Sequence, residues 1–144
     1  MNRIKRLGTV VEHVDQKQEK ALRAVAFSQG QLATEQFRLE QLMVYRDEYL
    51  EKKVQMQQAC SVIELQEYSR FLNQLDDTIK KQLKVIRLRE TELDCKRQAW
   101  QATRVDSKAM HKVVENLQRQ KIAKDEREDQ KRMDEFSQRR ISQS

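Results

Sequence analysis

Two heptad series, parted by one helix-start signal, leave this chain few folds to choose from. In the first series the a positions are Ile4, Val11, Gln18, Val25, Leu32, Leu39, Arg46 and Lys53, and the d positions are Leu7, Val14, Ala21, Ser28, Glu35, Leu42, Tyr49 and Met56. In the second, the a positions are Leu72, Ile79, Ile86, Leu93, Trp100, Ser107 and Val114, and the d positions are Leu75, Gln82, Arg89, Lys96, Thr103, Met110 and Leu117. Sustained 3–4 spacing of this kind marks a coiled coil, whose seam needs only a narrow apolar stripe. Between the series stands Cys60-Ser61-Val62-Ile63-Glu64. Ser61 and Glu64 make a capping box: the hydroxyl accepts the amide three residues on, and the carboxylate reaches back to the cap amide. One helix ends before Ser61 and another begins after it. The chain reads as an all-α, long antiparallel two-helix coiled-coil hairpin with a charged helical C-terminal extension. The expected boundaries are a first helix over about 4–58, a turn at 59–62, a second helix over 62–136 and a frayed tail over 137–144, within one coiled-coil domain.

Composition agrees with an elongated coil. There is no Pro and only two Gly, so breakers are nearly absent. Charged residues make up 36% of the chain and aromatics 6%, too little apolar mass for a globular core. Basic residues number 29 against 23 acidic, a net charge of +6, but the signs are interspersed. Interspersion fits a solvated helix surface with i,i+4 pairs, so nucleic acid is not an expected partner. No run of about 18 apolar residues exists to span a membrane, and the basic N-terminus lacks the apolar core of a signal peptide. Cys60 and Cys95 would lie about 50 Å apart along one helix, too far to bridge.

An antiparallel hairpin centred between Cys60 and Ser61 pairs residues whose numbers sum to 121. That register sets Leu42 against Ile79, Tyr49 against Leu72, Val11 against Met110, Leu7 against Val114 and Ile4 against Leu117. It also sets Trp100 against Ala21, the large-against-small match that close packing prefers. The polar seam residues Gln18, Ser28, Glu35, Arg46, Gln82, Arg89 and Lys96 weaken the coil but fix its register. Glu35 falls in the layer with Ile86 and Arg89 in the layer with Leu32, one layer apart and within reach of a cross-strand pair. A second capping box, Thr9 with Glu12, competes with apolar residues that already start at Ile4. Pairing runs out at Ile4 and Leu117, and the second helix continues alone, carrying Met133 and Phe136 three residues apart.

No catalytic constellation stands out. His13 and His111 fall off the seam and read as solvated surface residues, with no ligand set around them. Gly8 and Gly30 alone cannot build a phosphate cradle, and a two-helix hairpin has no cleft in which to shift a carboxylate pKa. Neither an enzyme nor a cofactor or metal is expected. What remains is binding. Apolar residues accumulate near the turn beyond what the seam needs: Met43, Val44, Tyr45 and Phe71 lie beside it. Either this end repacks locally or it presents a patch to a partner.

Two stretches resemble a known family. Leu42-Met43-Val44-Tyr45-Arg46-Asp47-Glu48-Tyr49 is similar to the L-x-x-Y-x-x-E-Y segment of the bacterial flagellar export protein FliJ family. Asp129-Gln130-Lys131-Arg132-Met133-Asp134-Glu135-Phe136 is similar to its D-Q-K-x-M-D-E-F C-terminal signature, and Tyr68 to Leu75 fits a Y-x-x-F-[IL]-x-x-L pattern between them. The resemblance implies a non-enzymatic component of the flagellar type III export apparatus. Its coiled coil would resemble the γ subunit of rotary F-type ATPases. By resemblance, it would enter the hexameric ring of the export ATPase FliI, promote that ring's assembly and activity, couple it to the export gate protein FlhA, and bind export chaperones. Leu42, Tyr45, Tyr49, Phe71 and Leu75 would form the gate-binding surface. Asp129, Gln130, Lys131, Met133, Asp134, Glu135 and Phe136 would form the ring-binding segment. Arg38, Thr78 and Gln82 depart from the family's pattern. The implied protein is a monomeric hairpin when free, cytoplasmic, and held at the cytoplasmic face of the inner membrane through its protein partners. The rival readings are the stalk protein of a virulence injectisome, against which the C-terminal signature argues, and a generic structural coiled-coil dimer.

Overall fold

The computed structural model describes residues 2–56 and 61–143. They form two α-helices, α1 (Asn2–Met56) and α2 (Val62–Ser142), which pack against each other as an all-α hairpin. Ser61 caps α2 as its sequence requires: its Oγ accepts the Glu64 amide at 3.3 Å, and its carbonyl accepts the Leu65 amide at 3.1 Å. Residues 59 and 60 of the expected turn lie outside the described residues.

Of the helix ends, that of α2 departs from the sequence reading. α1 begins at Asn2, so Thr9 sits inside the helix. Its hydroxyl donates back to the Lys5 carbonyl at 3.3 Å instead of capping. α2 does not fray after Phe136 but runs on to Ser142. Gln138, Arg139 and Arg140 are good helix formers, and the two arginines stand in the last turn, where a positive charge meets the negative end of the helix dipole. The Ser142 hydroxyl and the Gln143 amide both donate to the Arg139 carbonyl and close that turn.

The chain divides into two compact units, Met1–Lys20 with Gln101–Ser144, and Ala21–Trp100. In the second unit the buried apolar residues are Val25, Leu72, Leu75, Ile79, Ile86 and Leu93, all of them a or d positions. Leu32, Leu39, Leu42 and Tyr49 are half-buried on the facing helix, as are Ala21 and Trp100. In the first unit Ile4, Leu7, Val11, Val14, Met110, Val114 and Leu117 are half-buried. Met56 and Lys96 are the seam positions that stay exposed.

Several polar seam residues are tied across the hairpin, while the buried Ser28 hydroxyl has no hydrogen-bond partner among the described residues. Within the second unit Arg46 pairs with Asp76 and Lys53 donates to Ser69, pairs whose numbers each sum to 122, one more than the expected 121. Within the first unit Asp15 and Ser107 give the same sum. The Glu35–Arg89 pair that the register allows does not form. Gln82 reaches Glu35 first, donating to its carboxylate at 2.6 Å and to its backbone carbonyl at 2.9 Å, while Arg38 takes the other carboxylate oxygen at 3.0 Å. Arg89 turns to Glu92 at 2.9 Å and Gln31 at 3.4 Å. Gln82 thus supplies a neutral donor from the facing helix, while the balancing charge comes from Arg38, whose side chain stays largely in solvent and so costs little to desolvate.

Candidate interaction surfaces

Near the capped end of the second unit, α1 and α2 bring four aromatic rings together. Tyr45 and Tyr49 lie one turn apart on α1; Tyr68 and Phe71 lie three apart on α2. Tyr49 is the hub. Its ring stacks on Phe71 with centroids 4.3 Å apart and planes at 28°, and sits 5.3 Å from Tyr68 and 5.4 Å from Tyr45. Tyr45 meets Phe71 edge-on at 6.0 Å, and the Lys52 ammonium lies 6.0 Å from the Tyr49 ring centre. The apolar surplus read from the sequence is therefore divided between packing and exposure. Phe71 folds inward onto Tyr49, while Met43, Val44 and Tyr45 remain exposed.

Of the expected gate-binding residues, Tyr45 is 45% exposed, whereas Leu42, Tyr49 and Phe71 are half-buried. Leu75 is only 7% exposed and belongs to the packed seam. Beside the cluster, Arg38, Gln41, Leu42, Tyr45 and Gln82 line a hollow of about 400 Å³. Two of the three residues that depart from the family pattern, Arg38 and Gln82, thus meet at Glu35 and open onto this hollow. The third, Thr78, donates its hydroxyl to the Gln74 carbonyl within α2.

The expected ring-binding residues lie in the first unit, on the last part of α2. From Gln118 to Gln143 every residue except Ala123 is exposed. Asp129, Gln130, Lys131, Met133, Asp134, Glu135 and Phe136 all face solvent, with Met133 and Phe136 each 67% exposed. Gln130 donates to Asp134 at 3.3 Å, a same-face pair that supports the helix.

One polar cluster escaped the sequence reading. Ser107, a buried seam residue of the first unit, donates to the Asp15 carboxylate at 2.6 Å, and His111 Nε2 stands 3.0 Å from both Asp15 oxygens. His111 is therefore tied across to α1. The signal was present: Asp15 is next to a seam residue, and Ser107 and His111 are one turn apart. The Ser107 hydroxyl, then the His111 ring, hold the Asp15 carboxyl below its ordinary range, against desolvation that pushes it up. A depressed carboxylate pKa stabilises the fold above the unfolded value, near 4, and that contribution is lost as pH falls through the lower folded value. Denaturant melts of the native chain and Asp15→Asn should therefore differ at pH 6, and the gap should narrow as pH drops below about 4. A gap that stays constant to pH 2 would contradict this.

Among the described residues no group of His, Cys, Asp or Glu could hold a metal ion, and no helix is long and apolar enough to cross a membrane. No curated protein and no solved structure matches the chain significantly. The family model described as the flagellar FliJ protein matches residues 3–144. That match takes in both helices, the aromatic cluster and the exposed end of α2, and the chain belongs to the FliJ family of flagellar export proteins.

Proposed function

We propose that this chain acts as a central-stalk-like coupling component of flagellar export. The exposed end of α2, centred on Asp129 to Phe136, enters the ring of the export ATPase and promotes its assembly and hydrolysis. Tyr45, with Tyr49, Phe71 and Leu42 behind it, docks on the export gate protein. Leu75 supports that surface from within the seam and makes no contact of its own. Export chaperones bind the same chain, which associates with the cytoplasmic face of the inner membrane through these partners.

The observation that carries this reading is the state of α2 beyond Leu117. A helical segment with Met133 and Phe136 solvated, inside a family match that extends over it, has no packing role within the described chain. ATP hydrolysis by the cognate export ATPase, measured with and without this protein, tests the reading.

A further inference from the structure

The outer face of α1 in the second unit carries apolar residues that the hairpin does not use. Phe37 is 58% exposed and Val44 52%, two turns apart on the same side and away from the seam. With Glu40, Gln41, Tyr45 and Glu48 they line a groove of about 310 Å³. Gln41 and Tyr45 also line the 400 Å³ hollow, so the two depressions are neighbours.

Charge sets this groove apart. The basic residues of α1 between Glu35 and Glu51 are Arg38 and Arg46, and both are tied, to Glu35 and Asp76. Glu40, Asp47, Glu48 and Glu51 have no hydrogen bond or ion pair among the described residues. At about 100° per residue, Glu40, Glu48 and Glu51 lie within about 60° of Phe37 around the helix and Asp47 within about 80°. A chain with net charge +6 thus carries one apolar groove framed by free carboxylates.

We infer that this groove is a docking site for a basic amphipathic helix of another protein. Such a helix would lay apolar side chains between Phe37 and Val44 and set Lys or Arg against Glu40 and Glu48. The apolar floor supplies affinity, and the acidic frame supplies register and selects against acidic competitors. An anionic membrane surface is repelled by the same carboxylates. A second copy offers a poorer fit. Along Lys80, Lys84 and Arg87 on α2, Leu88 is the only exposed large apolar residue among the described ones, and the exposed end of α2 sets Glu126 and Asp129 on the face of Met133, carboxylates that the acidic frame repels.

The test uses the full chain and two synthetic helical peptides of equal length, one of leucine and lysine, the other of leucine and glutamate. Fluorescence anisotropy should show saturable binding of the lysine peptide and none of the glutamate peptide. Phe37→Ser should weaken binding at least tenfold. Glu40→Gln with Glu48→Gln should weaken it and flatten its salt dependence. These residues lie off the seam, so circular dichroism should report unchanged helicity. Equal binding of both peptides, or indifference to all three substitutions, would overturn the inference. So would self-association of the native chain in sedimentation equilibrium that Phe37→Ser abolishes. The assay contains neither ATPase nor gate protein, so its failure leaves the export reading standing.

Discussion

Ile86→Asp should unfold much of the second unit's helix pairing, while Leu88→Asp, two residues away, should be nearly silent. Ile86 is 7% exposed at an a position, flanked along α2 by the equally buried Ile79 and Leu93. Removing its side chain costs about 2–5 kcal/mol in lost packing, and desolvating a carboxylate adds to that. A folded chain is stable by only about 5–15 kcal/mol, so the loss is a large fraction of the total. The helices have little to fall back on, because their stability comes from packing of the seam more than from propensity. The thermal midpoint should fall by roughly 10 °C or more. Leu88 is 57% exposed, and an exposed substitution there should stay within about 0.5 kcal/mol. Circular dichroism melts of both variants decide the matter. Equal effects would mean that the seam does not run where the burial places it.

Tyr45→Ala should weaken binding to the export gate protein by roughly 30-fold without loss of helicity. Truncating a tyrosine at the centre of an interface typically costs about 2 kcal/mol or more, which is the affinity change given. Tyr45 is the ring of the cluster that solvent reaches best, yet Tyr49 at 5.4 Å and Phe71 at 6.0 Å hold it in place. Little ordering cost remains for a partner to meet. Leu75→Ala provides the contrast. Leu75 is buried in the seam, so its substitution should lower affinity only as far as it lowers helicity. Titration of purified gate protein against the two variants separates them. Native affinity in Tyr45→Ala would remove this residue from the proposed docking surface.

The hairpin was legible in the sequence because a coiled coil writes its core at fixed spacing. The a and d positions from Ile79 to Leu93 and from Val25 to Tyr49 are buried or half-buried, and Ser61 caps α2 as its pairing with Glu64 implied. The surplus near the turn was legible too, since Tyr45 and Phe71 exceed what two facing helices need. Polar partners were harder to read. A register fixes which turns face each other, but not which of several long side chains arrives first. Hence Glu35 takes Gln82 and Arg38 rather than Arg89, and Asp15 takes Ser107 and His111. Phe37 was missed for a different reason. One aromatic off the seam has no periodicity of its own, and only the free carboxylates around it give it meaning.

The account stands most directly on ATP hydrolysis by the cognate export ATPase. The assay compares the ATPase alone, with the full chain, and with a truncation ending at Leu117, which keeps the seam and removes the exposed end of α2. Stimulation is expected from the full chain and none from the truncation, although the truncation remains helical. Equal stimulation by both would place the ring contact elsewhere on the hairpin. No stimulation by the full chain, with no co-migration with the ATPase, would contradict the stalk reading itself.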